Sequence, residues 1–251
     1  MRLGVSQRHL SFVESGRANP SRQLLMAWLQ ELDAPLAVRN AALLQAGYAP
    51  AYGAVPLNDP AMAQAKRAIC ALLKSHDPMP AFVIDAHWNL LRMNQGGQWL
   101  AATLMPWTLA LADATPNSAP LNMLDLLVHP QGFANAMLNL SEVGTVLLSH
   151  LRDEASLLPA IAPKVEAFAN FLRERVGADE SSLKAAAHVA RFSTPLLTTR
   201  FATPHGELSF FSMFTTFGSP QDITLASLRV EHMFAADEAT AAVFKAQVTL
   251  Y

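Results

Sequence analysis

The 251 residues are 51% hydrophobic and 15% charged, with a formal net charge of −2. A chain of this length can bury one large core, or a small domain ahead of an ordinary one. No apolar run reaches the roughly 18 residues a membrane-spanning helix needs, no secretory leader pattern opens the chain, and a lone cysteine excludes a disulfide framework or a cysteine-built metal centre. A cytoplasmic protein is the expectation, with the excess apolar residues lining an interior, a cavity or a subunit interface. Cys70, set among Ala68, Ile69, Ala71 and Leu72, is expected to be a buried structural thiol.

Charge divides unevenly along the chain. Residues 1–50 carry +2 and the remainder −4, the balance of a nucleic-acid reader joined to something else. Three short helices are predicted in this head. Ser6 caps one that runs to about Ser15, with Gly16 as its left-handed stop. Pro20-Ser21 opens a second, whose Leu24, Leu25, Trp28, Leu29 and Leu32 share one face. The third covers about Leu36 to Ala46 and ends at Gly47. Tyr48 to Asp59, with Pro50, Gly53 and Pro56, reads as a linker. Asn58-Asp59-Pro60 then starts a helix of about sixteen residues suited to coupling two domains.

From Pro80 the texture changes to short strands, Ala81 to Asp85 and Trp88 to Met93, joined at Ala86-His87. Helices are expected near 95–104, 121–127, 141–157, 161–176 and 181–190. Strands return near Leu196–Ala202, Glu207–Phe217 and Ser227–Phe234, and Asp237 caps a closing helix. Strand, strand, helices, then three strands predicts an α+β fold, an antiparallel sheet with its helices on one face. The domain division read from this pattern is a head at 1–50, a linker and connecting helix at 51–78, and a second domain at 79–251.

The string Gly4-Val5-Ser6-Gln7-Arg8-His9-Leu10-Ser11-Phe12-Val13-Glu14-Ser15-Gly16-Arg17, followed by Pro20-Ser21, places polar side chains at a helix start with Val5, Leu10 and Val13 anchoring the other side. It resembles the xenobiotic-response-element (Cro/repressor-like) helix-turn-helix family. The resemblance implies a recognition helix from Ser6 to Ser15 in the major groove of double-stranded DNA. Gln7, Arg8 and Ser11 would then meet base edges, while Ser15 and Arg17 would face phosphates. The family places two helices before this glycine, and here only Met1-Arg2-Leu3 precede it. Either the true start lies upstream or the reader is damaged; for this form, a truncated all-α head that binds DNA weakly or not at all is expected.

Pro80-Ala81-Phe82-Val83-Ile84-Asp85-Ala86-His87-Trp88-Asn89 with Asn94, the run Phe210 to Asp222, and the ending Glu231-His232-Met233-Phe234-Ala235-Ala236-Asp237-Glu238 resemble the MmyB-like regulator family. What that implies is a PAS-like domain with an apolar pocket, associated in some members with a long-chain fatty acid. Independently, a curved sheet with Phe82, Ile84, Leu91, Met93, Phe210 and Phe214 facing inward suits an apolar ligand cavity, an ordinary filled core being the competing reading. A carboxylate head would need a cationic partner, for which Arg92, Arg191 and Arg200 are candidates. No cofactor, metal site or catalytic motif is read, and no enzyme is expected. The expected function is a homodimeric regulator controlled by an apolar small molecule. The alternative is a ligand- or partner-binding protein that has lost DNA recognition, its head serving dimerisation.

Overall fold

Polar caps and left-handed stops set the limits of the head helices. Ser6 Oγ accepts from the His9 amide at the start of α1 (Gln7–Glu14), and Ser21 Oγ accepts from Leu24 at the start of α2 (Arg22–Glu31). Gly16 and Gly47 take φ of +71° and +80° after α1 and α3 (Leu36–Gln45), as the sequence predicts. The computed structural model describes residues 5–108, 120–177, 179, 181, 185 and 196–248. The chain divides into two compact units, one running to Lys66 and including Phe217–Ser227, the other holding Arg67–Thr216 and Leu228 onward.

In the first unit, α2 buries Leu24 and α3 buries Leu43, while α1 buries none of its side chains. The segment after α3 is fastened rather than free. Asn40 Nδ2 donates to Tyr52 O at 2.8 Å, and its Oδ1 accepts from the amides of Ala51 and Tyr52. Tyr48 donates its hydroxyl to Pro20 O. A distant residue completes the arrangement. Asp222 Oδ2 accepts the Val55 amide at 2.9 Å, its Oδ1 caps α9 (Ile223–Ser227) through Thr224, and the Ile223 amide donates to Gly53 O. A strand-to-strand connection late in the sequence thus forms part of the head unit, which local pattern could not disclose.

A 3-10 turn at Pro60–Met62, capped by Asp59, leads into α4 (Ala63–His76). On α4, Ile69 and Leu73 take the buried positions. Cys70 lies a further 100° round the helix and is exposed, correcting the expected buried thiol.

Among the described residues of the second unit, five strands form one antiparallel sheet: β1 (Ala81–Ile84), β2 (Leu90–Met93), β3 (Thr199–Thr203), β4 (Gly206–Thr215) and β5 (Arg229–Ala235). Their order is β2-β1-β5-β4-β3, so the last strand slots between the two hairpins. The result is the α+β antiparallel sheet that the element order predicts, in the PAS-like form that the resemblance implies. Its inner face packs on α5 (Gln95–Leu104), α6 (Met123–Val128), α7 (Leu140–Leu157), α8 (Ala162–Val176) and α10 (Glu238–Gln247). One cluster joins Ile84 and Trp88 to Leu148, Leu151, Phe168 and Leu172; the other joins Phe82, Phe201, Leu208, Phe210 and Met233 to Leu100 and Phe244. The helices are not confined to that side. The end of α4 meets the outer face, where His76 Nε2 lies 2.9 Å from Met233 O and its ring stands edge-on to His232 and Phe234. The helix expected at 181–190 falls almost wholly outside the described residues.

Asn94 ties α4, β1 and α5 together. Its Oδ1 accepts from the amides of Ala81 and Gly97, each at 2.8 Å, while Nδ2 donates to Met79 O and Leu73 O. The side chain is buried and its hydrogen-bonding capacity is fully used. Asn94→Leu strands several backbone groups in a dry site and should cost about 3 kcal/mol, against about 1 kcal/mol for a helix cap alone. Urea unfolding checks the difference, and a loss confined to the cap value would mean that water replaces the amide.

Candidate ligand site and DNA-facing helix

Residues directly opposite across an antiparallel pair share a face, so the register sorts the candidate residues. Phe82, Glu231 and Phe214 form one cross-strand row, Ser212 and Met233 the next, with Phe210 and Ala235 beyond them. Ile84 and Arg229 lie on the other side of the first row, and Met93 stands opposite Phe82. Phe82, Ile84, Met93, Phe210 and Phe214 therefore lie together on the inner face. Phe210 is fully buried and Phe214 is 50% exposed, so that face is filled at one end and accessible at the β4 tip. Leu91 stands at the register irregularity of β1 and β2; among the described residues it joins neither core cluster, whereas Leu90 joins both.

The candidate cations separate from this set. Arg92 is paired with Val83 on the outer face, exposed, with Nη1 at 3.6 Å from Cys70 Sγ. Arg200 pairs with Ser209 and bonds Glu207 Oε1 at 3.2 Å on the exposed edge strand. Arg191 lies outside the described residues. Reasoning from sequence missed Arg229, which bonds both oxygens of Glu154 from α7, at 2.5 and 3.2 Å. Its guanidinium carbon lies 4.7 Å from the centroid of the Trp88 ring, and Trp88 Nε1 donates to Glu154 Oε2 at 2.9 Å. The alternation along β5 sets Arg229, Glu231 and Met233 against Val230, His232 and Phe234 but does not say which face is inward; the pairing with β1 does.

Two groups on β5 titrate abnormally. Burial holds the Glu231 carboxyl above its ordinary range, although a hydrogen bond from Ser212 and the Arg229 charge oppose the rise. Burial also holds the His232 imidazole below its ordinary value, and nearby His76 adds to that shift. The folded state thus binds the Glu231 proton more tightly than the unfolded chain does, so Glu231 erodes stability as pH rises above its ordinary value of 4.5. His232 acts in the opposite sense. Its contribution is present above its ordinary value of 6.5 and is lost as pH falls through the lower folded value. Glu231→Gln should therefore gain on the native protein as pH rises from 4.5. His232→Asn should flatten the acid limb below 6.5. Urea midpoints across pH test both, and a constant offset for either variant would contradict the assignment.

In the head, Ser6, Gln7, Arg8, Ser11, Ser15 and Arg17 are all exposed. Arg8, Ser11 and Ser15 fall on one side of α1 by their spacing of three and four. Ser6 and Ser15 bond the backbone of their own helix, and Arg8 stacks over the Phe12 ring at 5.4 Å. Gln7, Arg8 and Ser11 thus present a polar surface. An open cleft of about 510 Å³ lies beside Trp107, Gln131 and Asn135. Two of its lining residues, Leu104 and Ala136, pack against the cluster that holds Phe82 and Phe210.

No curated protein matches the chain. A family model described as the MmyB-like transcription regulator ligand binding domain matches residues 65–246, a span that takes in the whole sheet and its helices. That is a family of regulatory ligand-binding domains rather than of enzymes. With its second unit built as a helix-covered antiparallel sheet and matched along that length, the chain belongs to the MmyB-like transcription regulators.

Proposed function

We propose that this is a one-component regulator in which an apolar small molecule, a fatty acid being the class the resemblance implies, binds on the inner face of the sheet and alters DNA binding by α1. The observation that carries the reading is the ligand-binding family match over 65–246. Phe82, Ile84, Met93, Phe210 and Phe214 supply the apolar wall, on the face that Phe214 leaves accessible. Gln7, Arg8 and Ser11 are the proposed base-edge readers, and Ser6, Ser15 and Arg17 the positioning contacts to phosphate. A homodimer fits recognition of two half-sites.

A ligand shifts a conformational equilibrium only by its differential affinity for the two states. The connectivity offers a route for that bias. β4 and β5, which carry Phe210, Phe214 and Glu231, are joined by Phe217–Ser227, the segment that Asp222 fastens within the head unit.

Native mass spectrometry of protein purified without added lipid, followed by gel-shift titration before and after delipidation, tests the reading. A retained species of fatty-acid mass, with DNA affinity that changes on its removal, is expected. Asp222→Ala should keep the ligand and lose that change. Protein that retains no lipid, and whose melting temperature no lipid raises, would refute the ligand half. Ligand binding without DNA binding favours the second reading, in which the head serves dimerisation; its support is that α1 buries none of its side chains.

A further inference from the structure

Among the described residues, the charged side chains on the inner face of the sheet are confined to one place. Glu231 sits in a cross-strand row between Phe82 and Phe214, an acid flanked on both sides by phenyl rings. Ser212 donates to its Oε1 at 2.7 Å. Two residues earlier on the same face of β5, Arg229 directs its terminal nitrogens to Glu154, but its Nε–H is buried with no hydrogen-bond partner among the described residues. A half-buried acceptor and an orphaned buried donor thus stand one strand repeat apart, about 7 Å along β5. Buried polar groups of this kind ordinarily find partners, and the accessible Phe214 end of the sheet lies beside them.

We infer that Glu231, Ser212 and Arg229 form the polar end of the ligand site, and that they select an apolar chain ending in a neutral group that both donates and accepts a hydrogen bond, a hydroxyl or an un-ionised carboxyl. The inference rests on the apolar-ligand reading above and specifies its head group. A carboxylate can only accept, so it satisfies Arg229 Nε–H while setting a negative charge against Glu231. An ammonium can only donate, which leaves Arg229 unsatisfied and brings two cations together. A hydroxyl gives its proton to the free Glu231 oxygen and takes the Arg229 proton on a lone pair. The raised affinity of Glu231 for its proton, caused first by burial, is consistent with a site that resists a second negative charge. Arg92 and Arg200, on the other face of the sheet, are not needed to neutralise a head group of this kind.

The test measures binding of 1-decanol, methyl decanoate and decanoate to the delipidated full chain, at about pH 8, where decanoate is ionised. Displacement of a fluorescent apolar probe and thermal shift are the readouts. Decanol is expected to bind about tenfold tighter than decanoate, with the ester, which accepts but cannot donate, between them. In Glu231→Gln the decanoate penalty should shrink to about threefold or less, because the amide is neutral and can donate. Decanoate binding as tightly as decanol to the unaltered protein overturns the head-group assignment and leaves the apolar site standing. A decanol preference that Glu231→Gln fails to change overturns the role given to Glu231. Failure of all three ligands to bind overturns both the assignment and the apolar-ligand reading. The ranking on the unaltered protein decides the head-group chemistry even if the Gln variant does not fold.

Discussion

Gly96→Ala is expected to destabilise the second unit by about 4 kcal/mol or more, a large fraction of the stability of an ordinary domain. In an exposed helix the same change is favourable by about 1 kcal/mol, because glycine loses more backbone freedom on folding than alanine. Here a Cβ on Gly96 would stand 2.1 Å from Pro78 O, and 2.8 Å from both the carbonyl carbon and oxygen of Met79. These are backbone atoms, without a flexible end to move aside. They belong to the segment that enters β1, whose neighbouring amide Asn94 already fixes. Relief requires α5 to back away from the sheet, opening the interior around Leu100 and Phe82. Overpacking therefore outweighs the helix preference. Gly218→Ala, where no atom lies within 4 Å of the new Cβ, should change stability by less than about 0.5 kcal/mol. Circular dichroism melts of the two variants separate the arguments, and a Gly96→Ala protein melting at or above the native temperature would show that α5 yields cheaply.

What the sequence revealed and what it hid divide by range of interaction. Ser6, Ser21, Asp59 and Asp237 cap helices through amides two or three positions ahead, and Gly16 and Gly47 stop them through their own dihedrals. Those signals are local, so the helices predicted in the head and around 95–104, 121–127, 141–157 and 161–176 lie within a few residues of α1 to α8. Strand existence was legible for the same reason. Strand order was not, because β1 pairs with β5 through residues on opposite sides of the domain's helices. Without that pairing, alternation along β5 gives two faces and no means to say which is inward. Arg229 and Glu231 were thereby passed over in favour of Arg92 and Arg200, which look equivalent in one dimension. At Leu91 a register irregularity breaks the period of two that inward-outward counting relies on. The Asn40 and Asp222 bonds, which fasten a stretch rich in proline and glycine, were invisible in composition alone.

Trp88→Ala should cost about 4 kcal/mol in the second unit, in the range of large aromatic truncations in a packed core. Trp88 is 8% exposed and packs in the cluster that holds Ile84, Leu124 and Phe168. Its indole also gives Glu154 a hydrogen bond and carries Arg229 over its ring. Two further variants separate these roles. Trp88→Phe keeps most of the packing and the ring face, and removes only the donor to a carboxylate that Arg229 still holds. It should cost about 1–2 kcal/mol. Trp88→Gly removes the whole side chain, yet Trp88 sits at φ +66°. A left-handed backbone penalises every residue with a Cβ by about 1 kcal/mol and spares glycine. The usual ranking should therefore invert, with Gly about as stable as Ala or better despite the larger cavity and the greater freedom of the unfolded chain. Urea denaturation of the three variants at one pH measures the order Phe, then Gly, then Ala. An Ala variant clearly more stable than Gly would mean that the turn relaxes out of the left-handed region once the indole is gone, and that the indole's packing and its bond to Glu154 are what hold Trp88 there.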